Sequence, residues 1–324
     1  MCKLKSAIIL KDRIFMPDYD SHSKMLEELK ITDDYFNALK VFVRAELSPA
    51  DGDAFSDIDG WEFSVDQDIT PEWFDEKDCA ERMRKAVKEW AKTHIFIGQN
   101  ELKISHGENI FIKDCKNVDI RGNATVKHIC GNATVEYICG KATVKSIYGN
   151  TTVENICGNT TVKNIYGNTT VENIYGNVVV ESIYDNATVE SICDNATVES
   201  ICGDATVENI YGNVTVKDIF NNATVTCIYG NTTVENIHDN ATVKNICGDT
   251  TVKNICGDAT VENICGNSMV NYIYGNATVI NSPYTKWNNS AALIIADNAT
   301  FKDCYSKMIY QAGGWEFVKV TRGK

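Results

Sequence analysis

The sequence predicts a mostly β protein, a β-solenoid preceded by a small α+β domain, and three observations carry that prediction. From Gly122 to Pro283 a nine-residue unit, close to GNATVENIY, recurs 18 times without an insertion. Its fifth position is Val in all 18 copies and its eighth is Ile in 17, the pattern of a core shared between stacked units. Its first position holds only Gly, Asp or Asn, residues that tolerate a positive φ, so a left-handed corner is expected at every ninth residue.

Taken in chain order, residues 1 to 98 lack the repeat and form the α+β domain. Ala7 to Met16, with Lys11, Asp12 and Arg13 at its middle, reads as a hairpin. Ser21 to Ile31 reads as a helix capped near Ser21, with Met25, Leu26 and Leu29 on one side. Val41 to Leu47 and Trp61 to Val65 are strand candidates. Cys79 to His94 is a helix, because Met83, Ala86, Val87 and Trp90 recur at helical spacing. This domain is expected to cover the first coil of the solenoid.

Residues 99 to 305 form the solenoid. Val and Ile are assigned to its interior, with Val126, Ile129, Val153, Ile156, Val180, Ile183, Val198, Ile201, Val225, Ile228, Val252 and Ile255 as representatives. The third position is limited to Ala, Thr, Val or Ser, which suits a cramped inward site, and the fourth, Thr in 16 copies, alternates outward. Asn at position two, present in 14 copies, either bonds neighbouring backbone at the turn or stacks with adjacent coils as an amide ladder. Because Val and Ile lie three apart, each unit is expected to carry two short strand pieces with a bend near positions six and seven. Two units per coil would make a rod about 43 Å long and three per coil one of about 29 Å, at ~4.8 Å per stacked strand. The Lys and Glu that alternate at position six, from Lys127 and Glu136 to Lys163 and Glu172, leave like-charged stacks with either coil size. Two per coil is preferred by analogy with other nonapeptide rolls.

The flanks read as coil ends. Ile110, Ile112, Val118 and Ile120 are inward candidates of a degenerate upstream coil, and DNATFKDCY from Asp297 is a further copy shifted out of phase by four. Residues 306 to 324 are a C-terminal cap, in which Trp315, Phe317, Val318 and Val320 cover the last coil.

The segments CKLKSAIILKDRIF, FVRAELSPADGDAFSDIDGWEFSVDQD and AVKEWAKTHIFIG, followed directly by short tandem repeats, resemble a group of uncharacterised proteins of gut bacteria and their phages. These share a small N-terminal domain followed by short β-solenoid repeats. The resemblance implies that architecture and a mobile-element origin, and it supplies no catalytic residue.

Charge and motifs narrow the function. With 31 Lys+Arg against 44 Asp+Glu, the chain carries a formal charge of -13, so direct nucleic-acid binding is not expected. The N-terminus lacks the uninterrupted apolar stretch of a signal peptide and no run reaches membrane-spanning length, so the expected location is cytoplasmic, or the virion for a phage protein, with no membrane partner. Of 13 Cys, eight stand at position nine, where Tyr, Phe or His stands in most of the other copies; this irregular alternation reads as reduced thiols rather than a disulfide framework. The acidic stretch containing Asp51, Asp53, Asp57 and Asp59 fails the EF-hand template, because Gly60 at the sixth place puts Phe55 at the first. It reads as a solvated loop. The five His show no zinc or triad spacing, and the repeat lacks the GGxGxDxUx signature of calcium-binding rolls, so no metal and no cofactor are expected. The single Thr file per face reads as β-propensity rather than ice binding, and Asn-Ala-Thr sequons carry no meaning without secretion.

The function expected is therefore non-enzymatic: a rigid scaffold or spacer that presents a repetitive surface to a protein partner, itself unidentified. One alternative is an acidic DNA mimic, since residues 122 to 283 hold 7 Lys, no Arg and 16 Asp+Glu, a net -9 that Lys interleaved with Glu would dilute. A polysaccharide-acting β-helix enzyme is the lesser alternative, because gapless copies offer no projecting loop for catalytic residues.

Overall fold

The computed structural model describes residues 5–281, 294–303, 308–311 and 321–322. The N-terminal region is a four-stranded antiparallel sheet ordered β2-β1-β3-β4, built from β1 (Lys5–Leu10), β2 (Ile14–Phe15), β3 (Phe42–Ser48) and β4 (Glu62–Val65). Strand alternation divides its apolar residues between two helices. Ala7, Ile9, Val43, Ala45 and Leu47 face Met83, Val87 and Trp90 of α3 (Glu76–His94), while Ile8, Leu10 and Phe42 face Met25 and Leu26 of α1 (His22–Glu28). Ser21 caps α1 through its side chain, as expected. A further short helix, α2 (Tyr35–Lys40), was not foreseen; Tyr35 and Phe36 are 60% and 73% exposed, so it has no apolar stripe to read.

From Ile95 onward the chain winds into a parallel solenoid of about 11 turns. Its opening strands are β5 (Ile95–Ile97), β6 (Lys103–Ile104), β7 (Ile110–Lys113) and β8 (Val118–Ile120), and the 18 copies supply β9 (Thr125–Cys130) through β26 (Thr278–Asn281). Register partners lie 18 residues apart, for example Val153 with Val135 and with Val171, so each coil holds two copies. From β5 to β26, odd-numbered strands build one sheet and even-numbered strands the other. Position five, the Val column, and position eight, the Ile column, fill the space between the sheets: Val126, Ile129, Val153, Ile156, Val180, Ile183, Val198, Ile201, Val225, Ile228, Val252 and Ile255 are all fully buried in one continuous cluster. Position three is equally dry. Where it is Thr, as at Thr151, Thr160 and Thr169, the hydroxyl donates to the carbonyl three residues back at 2.7–2.8 Å, which lets Thr and Ala interchange in an apolar stack.

Each unit carries one continuous strand, five residues long in 16 of the 18 copies, not two pieces. Positions four, five, seven and eight pair with the next coil while position six drops out of the ladder, as in Thr152↔Thr170, Val153↔Val171, Asn155↔Asn173 and Ile156↔Ile174. That irregularity brings two residues three apart onto the same inward side. The corners are left-handed throughout, with φ of 55–60° at Asp185, Asp194, Asn221 and Asp239 and up to 89° at Gly212. Downstream, β27 (Ile294–Ile295) pairs with β25, and β28 (Thr300–Asp303) pairs with β26 at an offset of 22 residues, which absorbs the four-residue phase shift of DNATFKDCY. The sheet then reverses: β29 (Met308–Gln311) runs antiparallel to β28, and β30 (Thr321–Arg322) to β29. Trp315, Phe317, Val318 and Val320 lie outside the described residues.

The α+β region joins the solenoid along its flank. Helix α3 runs directly into β5, and Phe111 points outward from β7 into the α3 core while its neighbours Ile110 and Ile112 point into the solenoid. Asn109 and His94 both reach the loop at Asp18, the histidine at 3.0 Å.

The reading of every cysteine as reduced is overturned at one pair. Cys247 and Cys265 form a disulfide with Cα atoms 4.8 Å apart. They stand at position nine of consecutive even copies, 18 residues apart, so the coil provides the proximity that irregular alternation along the sequence concealed.

Candidate interaction surface

With the core filled by Val and Ile, the surface consists of straight columns of residues 18 apart. Position six yields a row of five carboxylates on the even sheet, Glu136, Glu154, Glu172, Glu190 and Glu208, one per coil, spanning about 19 Å at ~4.8 Å per coil. On the odd sheet the first three of these coils present Lys127, Lys145 and Lys163, and the next two present Glu181 and Glu199. Lysine and glutamate that alternate along the chain are thereby sorted onto opposite faces, which corrects the expectation that interleaving dilutes the acidic charge. Beyond Lys163 the odd column mixes its signs and pairs across coils, Lys163 to Glu181 at 2.9 Å and Lys253 to Glu235 at 2.7 Å, and the latter contact holds the Glu235 carboxyl below its ordinary range. Among the described residues none of the five even-sheet glutamates joins an ion pair. Half-exposed Thr134, Thr152, Thr170, Thr188 and Thr206 run alongside them at position four.

The corners carry two further columns. At position two the amide ladder exists: Asn150 donates to Asn132 at 3.3 Å, Asn168 to Asn150 at 3.2 Å and Asn186 to Asn168 at 3.4 Å, with an equivalent file through Asn177, Asn195, Asn213 and Asn231 at the other corner. Every rung donates toward the N-terminus, so an Asp can accept but not pass the bond on, as Asp204 does from Asn222. At position nine aromatic rings stack between coils, with Tyr148, Tyr166 and Tyr184 at centroid distances of 5.1 and 4.9 Å and nearly parallel planes. Their faces are occupied by each other, so only ring edges remain for a ligand.

The acidic loop is held by its own backbone. Asp51, Asp53 and Asp57 each accept from the amide two residues on, at 2.9, 2.9 and 3.1 Å, while Asp59 meets Lys88 at 2.6 Å. These carboxylates diverge into turns and lysine contacts and do not converge on one point. The loop leans on the solenoid, and a cleft of about 420 Å³ between them is lined by Asp53, Phe55, Lys113, His128, Cys130 and Tyr148. Burial, with Lys145 and Lys127 adding to it, lowers the His128 pKa; burial raises that of the Cys130 thiol, which is hydrogen-bonded to Tyr148. A neutral imidazole beside a protonated thiol is the opposite of an activated nucleophile pair.

Sequence reasoning missed one cluster. His22, Glu46 and Asp66 bring ligand-type atoms within 4.8 Å of one another, from the start of α1, from β3 and from the end of β4. Such a set is of the kind that holds a divalent cation. Here His22 already has an oxygen beside each ring nitrogen, Asp66 at Nδ1 and the Ala45 carbonyl at Nε2, both at 3.2 Å, so both ring nitrogens are already engaged by the protein. No residue spacing announces it, because its members are far apart in the chain. No helix among the described residues is long and apolar enough to cross a membrane. No protein-family model, curated protein or solved structure matches the chain.

Proposed function

We propose that the chain is a non-enzymatic scaffold whose even-sheet glutamate row docks a basic protein partner, with the α+β domain and its acidic loop as a second recognition element. One observation carries this reading: two copies per coil convert alternation in sequence into a single-sign column on one face, over a core that tolerates any outward residue. Carboxylates held at a fixed pitch on a stiff sheet lose little freedom on binding and steer a cationic surface from a distance. The test is affinity capture with the full chain. Changing Glu154, Glu172 and Glu190 to Lys should abolish capture of the partner, whereas changing Lys127, Lys145 and Lys163 to Gln should leave it intact. Equal capture by both variants would defeat the proposal.

A second reading, mimicry of DNA, gains from the same column. A duplex presents a charge about every 3.4 Å per strand on two strands, denser than one carboxylate per ~4.8 Å, so a basic protein surface is the better match than a DNA-sized cleft. Competition between duplex DNA and this chain for the captured partner would favour the mimic. The polysaccharide-enzyme reading has the least support, since copies from residue 122 to residue 281 follow one another without a projecting loop.

A further inference from the structure

Eight cysteines occupy position nine, and the coil decides which of them can meet. In the column that follows the odd strands, Cys130 is followed one coil on by Tyr148, Cys202 lies between Tyr184 and Phe220, and Cys256 lies between His238 and Tyr274. In the column that follows the even strands, Cys193 lies between Tyr175 and Tyr211. Only two neighbouring pairs remain, and both are in the even column: Cys247 with Cys265, already joined, and Cys139 with Cys157. Cys139 follows Ile138 at the end of β10 and Cys157 follows Ile156 at the end of β12, and those isoleucines are register partners. Cys247 and Cys265 follow Ile246 and Ile264 in the same relation. Backbone bonds confirm the equivalence, since Cys157 donates to Ile138 O and Cys265 to Ile246 O, both at 2.9 Å.

We propose that Cys139 and Cys157 are a second disulfide site, so that the solenoid takes two covalent coil-to-coil clamps along one edge, one near each end of the repeat. The two thiols lie against each other, and Tyr175 of the next coil bonds to Cys157. The oxidant is a small-molecule disulfide. One cysteine thiolate attacks it, forming a mixed disulfide and releasing one small thiol. The second cysteine, as thiolate, then attacks the protein-bound sulfur, the new S–S bond forms, and the second small thiol leaves. Two protein thiols are oxidised and one disulfide is reduced to two thiols, with the protons transferred through water.

The experiment uses the full chain, reduced, desalted and incubated in a mildly alkaline buffer of oxidised and reduced glutathione, then alkylated and mapped by peptide mass. Expected are linked peptides for Cys139–Cys157 and Cys247–Cys265, with Cys130, Cys193, Cys202 and Cys256 alkylated after denaturation. Cys157→Ser should return Cys139 to the alkylated pool and leave Cys247–Cys265 linked; position nine accepts several side chains, so this variant keeps the fold. The proposal is overturned if Cys139 and Cys157 both remain alkylated while Cys247–Cys265 closes, if either links to another cysteine, or if Cys139 stays cross-linked in Cys157→Ser.

Discussion

Replacing Val198, in the middle of the stack, tests the physical basis of the fold. Its side chain is fully buried and its register partners are Val180 and Val216, so the site is apolar along the column in both directions. Val198→Ala removes two methyl groups, about 1.6 kcal/mol of transfer free energy at ~0.8 kcal/mol each. A residual void of roughly 40 Å³ adds about 1 kcal/mol at ~24 cal/mol per Å³. The expected loss is therefore about 2.5 kcal/mol by these two contributions. Val198→Asp nearly preserves volume but buries a carboxyl with no partner. Full burial raises a carboxyl pKa by about 3 to 5 units, at ~1.4 kcal/mol per unit, so the variant should lose about 4 kcal/mol at neutral pH, where the carboxyl can escape charge by staying protonated, and about 4 to 7 kcal/mol only above its folded pKa. The sign with pH follows. A folded-state pKa raised above the unfolded value makes the penalty smallest below about pH 4 and complete once pH exceeds the folded pKa. Urea unfolding followed by circular dichroism, relative to wild type at each pH, measures both, with outward-facing Thr197→Ala expected within about 0.5 kcal/mol of wild type. A Val198→Asp protein that unfolds with wild type at neutral pH, or whose deficit does not shrink in acid, would refute the dry-column argument.

Three other outcomes are expected. Gly212→Val should cost more than about 2 kcal/mol in the same unfolding assay, because Gly212 has φ of 89° and a Cβ there would lie 2.9 Å from the Asp194 backbone nitrogen; Gly212→Asn should be milder. Asn195→Asp should keep the bond from Asn213 but lose the one to Asn177, for a change of about 0.5 to 1 kcal/mol in thermal or urea melts. Lys5 is buried against the Pro17 carbonyl and 3.6 Å from Asp20, whose side chain is one-third exposed, so Asp20→Asn should destabilise by about 3 kcal/mol while Lys5→Met stays within about 1 kcal/mol of wild type. Burial lowers the Lys5 pKa, so the cost of its charge is present at neutral pH and fades as pH rises toward the unfolded value of 10.5; Lys5→Met should gain on wild type least in that alkaline range.

The core was legible residue by residue because a repeat reports its inward positions through what it refuses to vary: Val153 and Ile183 belong to columns that tolerate almost no substitution, whereas position six accepts Lys, Glu, Thr, Asn and Ile. Coil size was not legible from charge. Exposed Glu154 and Glu190 splay into water, where repulsion across one coil is weak, so like signs in a column are no obstacle. Two copies per coil was preferred by analogy alone, and two consequences of that 18-residue period, the glutamate face and the Cys247–Cys265 bond, were not read from it. The hairpin, α1, the strands and α3 of the first domain were readable from local periodicity, but the packing of Phe111 into that domain was not, since alternation marks it as outward without naming what lies outside. The His22, Glu46 and Asp66 cluster is tertiary in the same sense.

Two nonapeptides per turn also shape how such a gene can change. Slippage during replication that adds or deletes a single unit would leave every buried valine above another valine. Yet it would move each downstream residue to the other side of the rod, exchanging the contents of the two columns beyond that point. Gain or loss of units in pairs alters only length. An odd-unit event is therefore a one-step route to a new binding specificity that needs no new packing.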